Sequence, residues 1–293
     1  MATLFITHPA SLHHDTPEGH PERADRIRAI NTVMAGEAFA ALVREEAPLA
    51  SFSDALCAHD CDYVAELEST LPVKGQVSFD ADTFASPGSR DAMLRAVGGA
   101  RRAVDAVMGG TASNAFCALR PPGHHAEHNR AMGFCFLNNA AIAARHAQRA
   151  HGAERVAIVD WDVHHGNGTQ DIFWDDASVL FASIHEMPLY PGSGEMSETG
   201  EKGTILNAPL RAGDDGAVFR EAFTSVVLPR IEAFAPDLIV ISAGFDAHVR
   251  DPLANLMLVE DDFAWATRAL MAIAQRRCAG RIVSLLEGGY DLQ

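Results

Sequence analysis

Val156-Ala157-Ile158-Val159-Asp160-Trp161-Asp162-Val163-His164-His165-Gly166-Asn167-Gly168 is the stretch whose reading decides the fold. A run of branched and small apolar residues over 156–159 reads as a strand buried on both faces, and acids, imidazoles and glycines begin where it stops. Four other segments repeat the design. Ala115–Leu119 is followed by Arg120–His128, Val179–Ile184 carries Ser183–His185 at its end, Leu238–Ser242 precedes Gly244–Asp251, and Ile282–Leu286 precedes Glu287–Tyr290. Helical patterns lie between them. Met93, Val97, Ala100, Val104 and Val107 share one helix face, as do Phe263, Ala266, Leu270 and Ile273. Residues 137–150 and 216–235 are helical in composition, and Pro21 and Glu22 mark a helix start before Arg23. Strands alternating with such helices predict an α/β fold: a central, mostly parallel sheet with helices on both faces. No repeat, low-complexity tract or linker interrupts the pattern, so residues 1–293 are expected to form a single domain. Ligands of parallel α/β sheets sit at the carboxyl ends of the strands, where these polar residues are delivered.

Composition narrows the function. Of 293 residues, 39 are acidic and 23 are Lys or Arg, a formal charge of −16 that repels phosphate backbones, so a nucleic-acid partner is not expected. No run of 18 apolar residues occurs, and the opening Met1-Ala2-Thr3-Leu4-Phe5-Ile6-Thr7-His8 lacks the basic region and apolar length of a secretory signal. Neither a membrane partner nor export is expected. Cys57, Cys61, Cys117, Cys135 and Cys278 form no disulfide framework and read as reduced thiols of a cytoplasmic protein.

Carboxylates and imidazoles at the strand ends point to a metal. If the strand stays extended, Asp160, Asp162 and His164 face one side. Asp162 and His164, joined by Asp246 from the end of another strand, supply two carboxylates and one imidazole, a donor set that suits a borderline divalent ion with an open coordination position. His124-His125-Ala126-Glu127-His128 matches an inverted zinc-protease motif, but it sits between Pro121-Pro122-Gly123 and Met132-Gly133-Phe134 and reads as loop, where the motif needs a helix. The adjacent His124 and His125 suit proton transfer beside the metal. Tyr290, after Gly288 and Gly289, can approach a site closely and stabilise an oxyanion, or be a buried structural tyrosine.

Taken together, RPPGHHAEHNRAMGFCFLNNAA (120–141), VDWDVHHGNGTQ (159–170), SIHEMPLYPGSG (183–194), SAGFDAHVRDPLANL (242–256) and LEGGYDL (286–292) resemble the zinc-dependent histone deacetylase family. The resemblance is to its class II branch, the bacterial histone deacetylase-like amidohydrolases and the acetylpolyamine amidohydrolases, and it extends from His13 to Tyr290. It implies an arginase-like fold and hydrolysis of the acetyl amide of acetyl-lysine or a related acetylated amine. It implies Zn2+ on Asp162, His164 and Asp246, with Fe2+ compatible with the same ligands. His124 and His125 would be the tandem catalytic histidines, oriented by Asp160 and Asn167, taking a proton from water and returning it to the amine, with Tyr290 as oxyanion donor. Gly133, Phe134, Tyr190 and Leu253 would line the acyl-lysine tunnel. A structural K+ would rest on Asp160, Asp162, His164, Ser183 and Ile184, largely through backbone carbonyls.

The chain also departs from the family pattern. It stops three residues past Tyr290, without the C-terminal helix that the resemblance implies. Asn255 stands where a polyamine-selective branch has a gating Glu. One Asp of Phe79-Asp80-Ala81-Asp82-Thr83 would grip substrate at the rim, without the sequence saying which, and both could be turn residues. An acetylpolyamine or other small-amide amidohydrolase is the alternative within the family. A ureohydrolase with two manganese ions would want further acids near Gly166 and Gly244. An inactive acyl-ligand sensor is countered by the complete set of His124, His125 and Tyr290. Oligomeric state is left open, with rim loops able to pair copies.

Overall fold

The computed structural model describes residues 2–293. Its strands, in chain order, are β1 (Thr3–Thr7), β2 (Val43–Glu46), β3 (Val77–Ser78), β4 (Phe84–Ala85), β5 (Asn114–Cys117), β6 (Val156–Asp160), β7 (Val179–Glu186), β8 (Ile205–Leu210), β9 (Leu238–Ala243) and β10 (Ile282–Leu286). β3 and β4 make a short antiparallel pair. The other eight form one sheet in the order β2-β1-β5-β10-β9-β6-β7-β8, every pairing parallel.

The period of two along each central strand divides the core. Val156 and Ile158 of β6 join Val240 of β9 under helices Ser89–Met108 and Asn139–His151. Ala157 and Val159 join Ile239 and Ile241 on the opposite face, under helix Glu260–Arg277 and the helical stretch 216–234. The sheet is therefore covered on both sides, as the strand–helix alternation predicts. Helix Asn139–His151 starts where the Asn138 side chain accepts the Ala141 N–H and ends at Gly152, whose φ of +68° closes the last turn.

The five expected strands form, with ends shifted by a few residues; β7 runs to Glu186, so Ser183–His185 lies inside it. β1, β2 and β8 come in addition, and with β2 and β8 at the edges they complete the sheet. The helix expected from Pro21 begins only at Asp25. Glu22 explains the delay. Its fully buried carboxylate takes the Arg120 guanidinium and lies 3.0 Å from Arg26 Nη1 and 3.4 Å from His14 Nε2, which holds residues 14–24 in an irregular path. Burial works against the Glu22 charge, but Arg120 and His14 outweigh it and keep the carboxyl well below its ordinary range. Glu22→Ala strands two buried guanidinium charges and is expected to destabilise the fold by about 3–5 kcal/mol, read as a drop in the urea midpoint. Because the folded-state value is depressed, this stabilisation is fully present above the unfolded glutamate pKa of about 4.3 and is lost progressively as pH falls from there through the depressed folded value. An unchanged midpoint at neutral pH would remove Glu22 as the organiser of this segment.

Candidate active site

β6 ends at Asp160, and beyond it the chain coils instead of staying extended. Asp160 Oδ1 accepts the Asp162 N–H (3.1 Å) and Asp162 Oδ1 accepts the His164 N–H (2.9 Å), two successive turns closed by carboxylates. The alternating-face expectation for Asp160, Asp162 and His164 is thereby corrected. Asp162 and His164 turn toward Asp246 from the β9 end, while Asp160 turns to His124.

Asp162, His164 and Asp246 are all buried, and each offers a ligand-type atom within 4.8 Å of the other two. His164 Nδ1 lies 3.1 Å from Asp162 Oδ1 and 3.2 Å from Asp246 Oδ2. The other carboxylate oxygens are fixed by backbone, Asp162 Oδ2 by the Gly288 N–H (2.7 Å) and Asp246 Oδ1 by the Val163 N–H (2.8 Å). Burial and the neighbouring Asp162 charge push the Asp246 carboxyl up to about 7. Two carboxylates held this close in a dry site call for positive charge between them, and the convergent oxygen and nitrogen atoms fit a divalent cation. The backbone packs tightly around this group. A Cβ at Gly244 would lie 2.1 Å from Asp162 Oδ2, and one at Gly288 would lie 2.1 Å from Asp246 Oδ2. The acids that a two-manganese site would add near 244 have no room there.

The two histidines after β5 sit beside this group, their ring centroids 4.0 Å apart, on a loop rather than a helix. His124 Nδ1 lies 2.9 Å from Asp160 Oδ2, and its Nε2 lies 3.8 Å from Asp162 Oδ2. His125 Nδ1 lies 2.8 Å from Asn167 Oδ1. The amide's orientation follows from its other contact, since Asn167 Nδ2 donates to Glu127 Oε1 (2.8 Å), which as a carboxylate only accepts. His125 therefore carries its proton on Nδ1 and leaves Nε2 as a base. Burial depresses both rings. For His124 the charges of Asp160 and Asp162 overcome it and hold the ring well above its ordinary value, whereas for His125 the charges of His124 and His164 add to it and keep the ring well below.

Above lies a cavity of about 240 Å3 lined by His125, His164, Gly133, Phe134, Tyr190, Leu253 and Tyr290, together with Leu189 and Asp82. The Tyr190 ring stands edge-on to His125 at 5.1 Å, and Phe134 stands edge-on to Tyr290 at 5.9 Å. Gly133 has φ +57°, and a Cβ there would lie 2.5 Å from His125 Cδ2, so the wall closes on the histidine only with glycine. Phe134 itself has φ +68°, a costly conformation for an aromatic residue, and its N–H donates to Thr83 Oγ1 (3.0 Å). Loop 79–83 thus props the wall. Its two acids divide: Asp80 Oδ1 accepts the N–H groups of Asp82 and Thr83, whereas Asp82 lines the cavity. Asn255 is not among the lining residues; its backbone N–H and Nδ2 both donate to the buried Glu186. Of the five residues expected at a structural K+, Asp160 ends β6 and pairs in register with Ser183 inside β7, next to Ile184, while Asp162 and His164 lie in the loop that follows β6.

Three residues that the sequence reading assigned no part also touch the site. Glu287 is fully buried, and its Oε2 accepts the N–H groups of Gly123 (2.7 Å) and His124 (3.1 Å). Burial pushes its carboxyl up to about 7 against the pull of His124. Asp251 Oδ2 accepts the Tyr290 N–H (2.6 Å), and Arg26 stacks 4.8 Å over the Tyr290 ring while its Nε donates to the Gly289 carbonyl (2.6 Å). An acid at the end of an apolar strand was the visible signal for Glu287; its partners come from 164 residues away.

A parallel sheet carrying a buried Asp-His-Asp group and a histidine pair at its carboxyl edge defines an α/β protein with a candidate metal-dependent hydrolytic centre. The chain belongs to the histone deacetylase family, whose domain model matches residues 20–293. It is 40% identical over 299 residues to a probable deacetylase of Archaeoglobus fulgidus, an alignment that covers 100% of this chain and 82% of that one. It is 39% identical over 278 residues to a histone deacetylase-like amidohydrolase of Pseudomonas aeruginosa, covering 93% of this chain and 73% of the relative. The crystal structure of the HDA15 HD domain superimposes with a TM-score of 0.94 at 37% identity, over 99% of this chain and 84% of that one. No helix among the described residues is long and apolar enough to cross a membrane.

Proposed function

We propose that residues 1–293 act as one catalytic unit, a zinc-dependent deacetylase that hydrolyses the acetyl amide of acetyl-lysine to acetate and free amine. The observation that carries this reading is the pairing of His124 with Asp160 and His125 with Asn167, beside Asp162, His164 and Asp246, under a cavity walled by Phe134 and Tyr190. A divalent cation on those three ligands would polarise the amide carbonyl and acidify a water. Zinc is the metal we assign, with iron(II) the other ion that two oxygens and an imidazole accept. Elemental analysis of the purified protein distinguishes them.

The protein groups divide the remaining work. His125 Nε2, unprotonated and buried, takes the proton of the attacking water and returns it to the leaving amine. His124 stays protonated against Asp160 and adds positive charge beside the developing oxyanion. The Tyr290 hydroxyl donates to that oxyanion. Phe134 and Tyr190 flank the alkyl chain of the substrate, Leu253 adds an apolar contact, and Asp82 is the rim acid we assign to the substrate backbone. A structural K+ on Asp160, Asp162, His164, Ser183 and Ile184 completes the reading. Cytoplasmic location is part of it, supported by the five cysteines, all free thiols.

Among acetylated amines, a peptide substrate is favoured over a polyamine because the Asn255 side chain is engaged by Glu186 and brings no negative charge to the cavity. Acetate release from an acetyl-lysine peptide is expected to exceed that from acetylputrescine at equal concentration. The reverse order would assign the enzyme to small polyamines, and release from neither would overturn the deacetylase reading.

A further inference from the structure

On the approach to the amino ends of β5 and β6, helices Ser89–Met108 and Asn139–His151 pack against each other and bring three ligand-type side chains together. Asp105 Oδ1 lies 2.7 Å from His146 Nε2 and 2.8 Å from His151 Nε2. The two imidazoles are 5.8 Å apart between centroids and almost perpendicular, at 82°. Both Nε2 atoms thus converge on a single oxygen from different directions. The histidine side chains are 13% and 23% exposed and the aspartate 46%, so the rings are held by packing while the point of convergence stays open to solvent.

We propose that Asp105, His146 and His151 form a second metal site, for a divalent transition-metal ion such as zinc, separate from the catalytic group and bridging the two helices. Two imidazole nitrogens and one carboxylate oxygen suit zinc, nickel or copper(II), whereas magnesium and calcium call for oxygen ligands. Each Nε2–H now pointing at Asp105 is replaced by the cation, and water fills the remaining positions. Zinc–ligand bonds near 2.0–2.2 Å set tetrahedral ligand atoms ~3.3 Å apart. The site therefore opens by about half an ångström on binding, which the half-exposed Asp105 supplies by a small rotation.

One neighbour opposes the ion and makes the proposal testable in both directions. Arg101 Nε lies 3.4 Å from His146 Nδ1, and its Nη1 lies 2.5 Å from Asp54 Oδ1. With a metal on Nε2, the ring proton moves to Nδ1 and faces the Arg101 N–H. Arg101 must then swing away, so its removal strengthens binding.

The test is Zn2+ uptake by equilibrium dialysis of the protein already carrying its catalytic metal, in excess Mg2+. The wild type is expected to bind one equivalent more than His146→Ala/His151→Ala, while the two hydrolyse substrate at the same rate. Arg101→Gln is expected to bind the extra equivalent severalfold more tightly than the wild type, and Asp105→Asn more weakly. A double variant that takes up as much Zn2+ as the wild type, or a wild type that takes up no additional equivalent, would overturn the assignment. A Kd unmoved by both Arg101→Gln and Asp105→Asn would overturn it as well.

Discussion

Asp246→Asn is expected to yield a folded protein that retains almost no active-site metal and hydrolyses substrate at the assay background. Asparagine keeps an oxygen for the Val163 N–H, which Asp246 Oδ1 accepts at 2.8 Å, so the loop geometry survives. Alanine would orphan that buried donor at about 1–3 kcal/mol and confuse metal loss with unfolding. The substitution removes the negative charge and the Oδ2 atom that faces His164 Nδ1. What remains is one carboxylate and one imidazole, too few protein ligands for a catalytic zinc site, which uses three. Removing the charge relieves the repulsion from Asp162 but also gives up the contact with His164 Nδ1, so melting of the variant beside the metal-free wild type serves as the check that it is folded. Metal analysis on the same samples decides the matter: a full complement in Asp246→Asn would show that the ligand set is wrong.

Much of this architecture was legible because burial and chemistry leave different marks along the chain. β6, β7, β9 and β10 are flanked on both sides in the sheet and carry continuous apolar runs, and the polar loops that follow them spell out the site. β2 left no such mark. As an edge strand it reads Val43-Arg44-Glu45-Glu46 and is largely exposed, so neither alternation nor an apolar run identifies it. β8, the other edge, contains Pro209, and a proline inside a short run hides its strand character. β1 is too short an apolar run, at the start of the chain, to stand out as a strand, although Leu4, Phe5 and Ile6 are all buried. Local turn chemistry defeated the reading of Asp160. Carboxylates two residues apart closed turns on the following N–H groups and sent the side chains to different partners. Glu22 and Arg26 left no mark for another reason, and Glu287, marked only by its place at a strand end, shares it. Each is an ordinary charged residue in sequence, and its role comes from partners brought together only by the fold: Arg120 for Glu22, Tyr290 for Arg26, and the His124 backbone for Glu287.

Tyr290→Phe is expected to lower kcat by a factor of about 10² to 10³, the usual loss for one oxyanion donor, with KM and metal content nearly unchanged. The ring's position does not depend on the hydroxyl. The Tyr290 N–H is tied to Asp251, Arg26 stacks on the ring face, Phe134 meets its edge, and Arg26 Nε holds the Gly289 carbonyl. Phenylalanine keeps each of these contacts, so the variant isolates the loss of a single O–H. Burial keeps that hydroxyl protonated, raising it well above its ordinary value despite the pull of Arg26. The donor is therefore present across the whole assay range, and the alkaline side of the pH–rate profile is expected to fall with the same midpoint in wild type and Tyr290→Phe. Because the interaction forms only as negative charge develops on the carbonyl oxygen, its loss appears in kcat and leaves substrate binding intact. Equal losses in kcat and in affinity would instead make Tyr290 a wall of the cavity, and turnover close to wild type with metal bound would remove it from the chemistry.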